Sequence, residues 1–153
     1  MAMSAAPAAA QNSNLIGLSC SGSQTSNFAD QNKTLSADIA MHFVIDPNLK
    51  KIYQLDDQYS GKLEDFCGGK PCIVAIDDAA ITVKQSYREP DPQSPSLLNF
   101  FADTMVIRRY DGNITQTWDS HGEANGRKFA FVHQDFSGQC EKEAPQMNAA
   151  RKF

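Results

Sequence analysis

Apolar and polar residues alternate one for one along most of this chain, and that alternation excludes more folds than any other feature it has. Ile39, Met41, Phe43 and Ile45 interleave with Ala40, His42 and Val44, and Ile81, Val83 and Tyr87 with Thr82, Lys84, Ser86 and Arg88. Met105 and Ile107 keep the same period, as do Phe129 and Phe131. A period of two sends successive side chains to opposite faces of a strand. Such segments bury one face and wet the other, which is antiparallel behaviour. Long stripes at helical spacing are missing.

Turn residues fall where hairpins need them. Asp111-Gly112 and Asn125-Gly126 tolerate the positive φ of a tight two-residue turn, and Asp77-Asp78 and Asp46-Pro47-Asn48 mark two more. The pattern predicts about eight strands, at 14–20, 38–46, 51–55, 72–76, 79–87, 103–110, 113–119 and 128–136. Connected in order they form an all-β antiparallel meander, which we expect to close into a small barrel because closure removes exposed edges. A β-sandwich is the alternative, since the polar stretch 21–35 and the stretch 56–71 could cross between two sheets. Residues 88–102 begin Pro-rich, and Ser94 followed by Pro95 predicts one short apolar helix near 95–102.

The set of eight strands and one helix resembles a calycin-type barrel at the level of architecture. The Gly-x-Trp signature of lipocalins is not met, because Gly17 is followed two residues on by Ser19.

The cysteines constrain compartment and connectivity. Cys67 and Cys72 flank Gly68-Gly69-Lys70-Pro71, a stretch able to curl back within disulfide reach. That leaves Cys20, at the end of the first strand, for Cys140, just past the last; in a closed meander those strands are neighbours. The Ala8-Ala9-Ala10 run reads as the tail of a trimmed signal peptide. Disulfides persist in oxidising compartments, so we expect a periplasmic or secreted protein. Residues 1–13 are expected to be a signal remnant or disordered tail, 14–142 a single β domain and 143–153 a flexible tail.

The chain carries 14 Lys and Arg against 18 Asp and Glu. A net charge of −4 argues against a nucleic-acid partner. No segment is apolar over the roughly 18 residues a membrane helix needs, so a transmembrane role is not expected.

The two tight turns fix side-chain neighbours. With Asp111-Gly112 as a two-residue turn, Ile107 faces Gln116 and Met105 faces Trp118. With Asn125-Gly126 as the next, Trp118 faces His133 and Gly122 faces Phe129. One face then carries Met105, Ile107, Ile114, Trp118, Phe129 and Phe131 together with Arg109, Gln116 and His133. Buried polar groups cost roughly 1–3 kcal/mol each when unpaired, so three of them on an apolar face suggest a cavity or an open mouth.

The expected ligand-binding residues are therefore Arg109 for charge, Gln116 and His133 for orientation, and Trp118, Phe129 and Phe131 for apolar contact. Leu97, Leu98, Phe100 and Phe101 would form a lid or a partner contact. The expected function is non-catalytic binding of a small or extended ligand by an exported protein. The alternative is a protein-interaction module, an inhibitor or accessory subunit of an envelope or secreted assembly.

No enzyme is expected. Nucleophile-elbow, zinc-protease, phosphate-loop and haem motifs are missing. His133 with Asp135 or Glu123 is the nearest approach to an acid–base pair, but it has no nucleophile beside it. His121 and His133 fall on opposite faces in the expected register, so neither a metal nor another cofactor is expected.

Overall fold

A computed structural model describes residues 14–56 and 62–145. The signal remnant expected at 1–13 lies outside the described residues, as does the expected tail 143–153 from residue 146 on, while Glu143 itself ends the last strand. Nine strands form one antiparallel sheet: β1 (Ile16–Phe28), β2 (Lys33–Asp46), β3 (Lys51–Asp56), β4 (Lys62–Asp65), β5 (Cys72–Ile76), β6 (Ala80–Pro90), β7 (Leu98–Arg108), β8 (Asn113–Ala124) and β9 (Arg127–Glu143).

The order across the sheet is β4-β3-β2-β1-β9-β8-β7-β6-β5. Every strand except the β4–β5 pair lies beside its neighbour in sequence, and β1 pairs with β9. The sheet curls into an open half-barrel. The expected closure does not occur: among the described residues no ladder joins β4 to β5, so one gap remains in an otherwise continuous meander. Between those strands the chain turns instead of pairing, with the Phe66 amide donating to the Ile52 carbonyl at 2.9 Å and Gly68 and Gly69 at positive φ.

The alternation sets the interior. Leu18 and Cys20, Met41, Phe43 and Ile45, Ile52, Ile81 and Val83, Met105 and Ile107, Ile114, Phe136 and Cys140 pack into one core. Phe43, Ile45, Ile52, Met105 and Ile114 are completely buried. A fully buried side chain of that size stabilises by about 1.5–3 kcal/mol. Both expected disulfides are present, Cys20–Cys140 and Cys67–Cys72. Cys20 and Cys140 are direct partners across the β1–β9 ladder, so the bridge fastens the first strand to the last at the sheet centre. Two residues on, Gly22 faces Gly138, and a Cβ on either would run into the opposite backbone carbonyl.

Three expectations need correction. The helix near 95–102 is not formed, and no α-helix occurs among the described residues. Leu98 to Phe101 instead begin β7, while Asp91 takes the role given to Ser94, its carboxylate accepting the Gln93 and Ser94 amides at 2.9 and 3.1 Å. The polar stretch 21–35 is not a loop but the ends of β1 and β2, which pair as far as Phe28 and Lys33 around one 3-10 turn at Ala29–Gln31. Residues 62–65, expected to be irregular, form β4.

Candidate functional site

The half-barrel interior changes character along its strands. On β7 the inward positions run Ile107, Met105, Asp103, Phe101, and on β8 they run Ile114, Gln116, Trp118. Past the apolar core lies a cavity of about 260 Å³, lined by Gln24, Gln54, Phe66, Asp103, Gln116, Trp118, Gln134 and Phe136. Each strand contributes through its own alternation: Gln24 continues Leu18 and Cys20, Gln54 continues Ile52, and Gln134 continues Cys140 and Phe136.

Among the described residues, Asp103 is the one ionisable group in that lining. The Gln116 side-chain amide donates to both carboxylate oxygens, at 3.1 and 2.9 Å. Removal from water pushes the carboxyl up to about 6, against the opposing pull of the Gln116 hydrogen bond. An aromatic wall continues from the cavity: Phe101 lies 5.9 Å from Trp118 and 5.1 Å from Tyr87, centroid to centroid. Burial also raises the Tyr87 hydroxyl above its ordinary range.

Of the residues expected to bind ligand, only Gln116 and Trp118 line this cavity. The expected β7–β8 register is two residues out: Ile107 pairs with Ile114, Met105 with Gln116, and Asp103 with Trp118. The connection is longer than two residues, closed by the Gly112 amide on the Arg108 carbonyl at 3.0 Å. A slide of two preserves the face, so Gln116 and Trp118 stay inside while their partners change. Arg109 moves into the turn, where its guanidinium donates to the Asp77 carbonyl at 2.8 Å. There it borders a separate cleft with Ile81, Ile107 and Lys142.

The β8–β9 register holds at the hairpin, where Gly122 pairs with Phe129, and is then broken by a bulge. Two residues of β9, Ala130 and Phe131, stand opposite His121. Ala130 has φ +53°, and its amide donates to the Asp30 carboxylate at 2.5 Å. Beyond the bulge Trp118 pairs with Gln134 and Asp119 with His133. A single inserted residue reverses the face of everything after it.

His133 is therefore outside the half-barrel, half-exposed between two carboxylates, with Asp119 at 2.6 Å and Asp135 at 2.8 Å. The Asp119 hydrogen bond first, and Asp135 with it, hold its imidazole above the ordinary histidine range. His121, also outside, bonds Glu123 at 2.8 Å and stacks between Phe100 and Phe131 at 4.7 and 5.2 Å.

The expected lid is divided by the strand. Phe101 faces Tyr87 and Trp118, whereas Phe100 packs under the Arg88 guanidinium at 4.8 Å. Leu97 approaches the Gly122 backbone beside the Phe129 ring. Leu98, Phe129 and Phe131 are exposed.

Asp103 was missed, although the sequence carried the signal: it stands in phase with Met105 and Ile107, an acid on an apolar face. Gln134 was hidden by the bulge, Gln54 by the shortness of β3, and Gln24 by a stretch that looked like loop. No family model, no curated protein and no solved structure matches this chain.

Proposed function

We propose that this is an exported, non-catalytic binding protein, periplasmic or secreted, that takes a small polar ligand into the cavity beside Asp103, Gln116 and Trp118. The observation that carries the reading is the cavity itself: four glutamines and one aspartate converge on it directly beside the apolar core that the same strands build. Binding cavities combine apolar walls with a few convergent polar groups, and Phe66, Trp118 and Phe136 supply the walls here. Two disulfides suit an oxidising, extracytoplasmic setting.

Trp118 is the only tryptophan in the chain, so its fluorescence reports occupancy directly. Titration with a library of small polar metabolites is expected to give at least one saturable shift that Gln116→Leu weakens tenfold or more. Absence of any shift across the library rejects the reading.

The interaction-module reading draws on a different region. Leu98, Phe129 and Phe131 are 36%, 39% and 42% exposed. Adjoining exposed apolar side chains mark contact surfaces, and Phe131 stacks on His121, which stacks in turn on Phe100. Phe129→Ser with Phe131→Ser would abolish a protein contact made there while leaving the Trp118 titration unchanged.

A further inference from the structure

Resting on that binding reading, we propose that the cavity takes a small organic ammonium ion, with the Asp103 carboxylate as its counter-ion. Asp103 projects inward between the positions of Phe101 and Met105, and among the described residues its one hydrogen-bond donor is the Gln116 amide nitrogen, shared between both oxygens. Among the described residues, no lysine, arginine or histidine lines the cavity. An ionised carboxylate offers roughly four lone-pair sites, and one shared nitrogen leaves most of them open. Withdrawing such a group from water without a cation is costly, so a ligand that brings the cation recovers what the protein alone forgoes.

The rest of the lining suits the same ligand. Gln24, Gln54 and Gln134 carry amide oxygens that accept the remaining ammonium N–H groups. Trp118, Phe66 and Phe136 offer ring faces, which attract cations. Glu64, the register partner of Gln54 on β4, adds negative charge to that side of the sheet. An anion would meet Asp103 repulsively. A neutral polyol would satisfy the glutamines and leave the carboxylate's charge uncompensated.

Other titratable and charged groups lie on the same face of the sheet as Asp103. Tyr87 on β6 feels its charge. Lys70 lies 5.3 Å from the Tyr87 ring and is paired with Glu89, and Lys62 stands with Glu64 on β4. None of the three lysine and glutamate neighbours Lys70, Glu89 and Lys62 is in the cavity lining.

The test compares n-butylammonium with n-butanol, which has the same chain and no charge, by Trp118 fluorescence. At pH 8 butylammonium is expected to give a saturable shift and butanol none over the same range. Asp103→Asn, nearly isosteric, should weaken butylammonium at least tenfold. At pH 5, with the carboxylate protonated, the unaltered protein should approach the variant's behaviour. In parallel, butylammonium should lower the midpoint of the Asp103 side-chain carbon titration followed by NMR.

Equal responses to both probes, unaffected by Asp103→Asn, overturn the ammonium assignment and leave the cavity reading standing. No response to butylammonium also overturns the assignment, and the metabolite titration of Gln116→Leu then judges the cavity reading separately.

Discussion

The two ends of the half-barrel interior are built from the same strands with the same alternation, yet they hold opposite chemistry. At one end Ile81, Met105, Ile107, Ile114 and Cys140 are buried against one another. At the other the same strands turn Gln85, Asp103, Gln116 and Gln134 inward. Met105 and Gln116 are direct cross-strand partners, so the change falls within a single pair. Strand geometry is satisfied equally by both ends. The apolar end stabilises the fold, and the polar end sets hydrogen-bonding side chains inward at a cost in stability.

The largest expected effect tests the apolar end. Replacing Cys20 and Cys140 by serine opens a bridge across a sequence separation of 120. The chain-entropy model puts the loss near 5 kcal/mol, against about 2 kcal/mol for the Cys67–Cys72 bridge. Denaturant unfolding of the two double variants measures both, and equal losses would show that the central bridge is not what fastens the apolar end.

Met105→Gln carries the chemistry of the polar end into the core. Leaving a buried amide unpaired there should cost about 3 kcal/mol in the same assay. A loss below 1 kcal/mol would mean that the boundary between the two ends is soft.

Asp103→Asn reverses the sign. Burial raises the native Asp103 carboxyl to about 6, above the value it has in the unfolded chain. Its contribution is fully present below about pH 4, where both states are protonated, and is lost as pH rises through about 6. The asparagine variant should therefore be more stable than the parent by about 2 kcal/mol at pH 8 and nearly equal to it at pH 4. Thermal unfolding at the two pH values checks both halves of that statement.

Ala130→Gly should stabilise by about 1 kcal/mol, because glycine accepts the positive φ that alanine holds there under strain. Smaller still is Asp119→Asn, which removes one of the two carboxylates beside His133. The raised imidazole favours the fold below about pH 6.5, and that contribution is lost as pH rises through the raised native value. The group is half-exposed and screened by solvent, so a few tenths of a kcal/mol at pH 6, and nothing at pH 9, is the expected difference.

Local pattern made the sheet legible. Ile39 to Ile45, Ile81 to Tyr87 and Met105 to Ile107 announced their strands through period two, and the spacing of Cys67 and Cys72 announced a local bridge. The cavity was half legible: Gln116 and Trp118 were assigned to the interior correctly even though their partners were two residues out, because a slide of two keeps the face. Arg109 was misplaced because its turn is held by contacts with the Asp77 and Ala79 carbonyls, which belong to another hairpin. Leu97 to Phe101 read as a helix because Ser94-Pro95 is a good local start. Pairing with Arg88 to Pro90 and with Ser120 to Glu123 overrides that local preference.

By itself, then, the sequence determined the all-β antiparallel class of fold and the pairing of its cysteines, since both follow from period, turn chemistry and reach along the chain. Only the tertiary structure decided whether the barrel closes and which side of the sheet carries His133. The first depends on how the Phe66–Pro71 turn leaves β4 and β5 apart. The second depends on a one-residue bulge at Ala130, held by the Asp30 carboxylate from a hairpin 100 residues earlier. The Ala130–Asp30 contact joins segments far apart in sequence, and no local pattern encodes it.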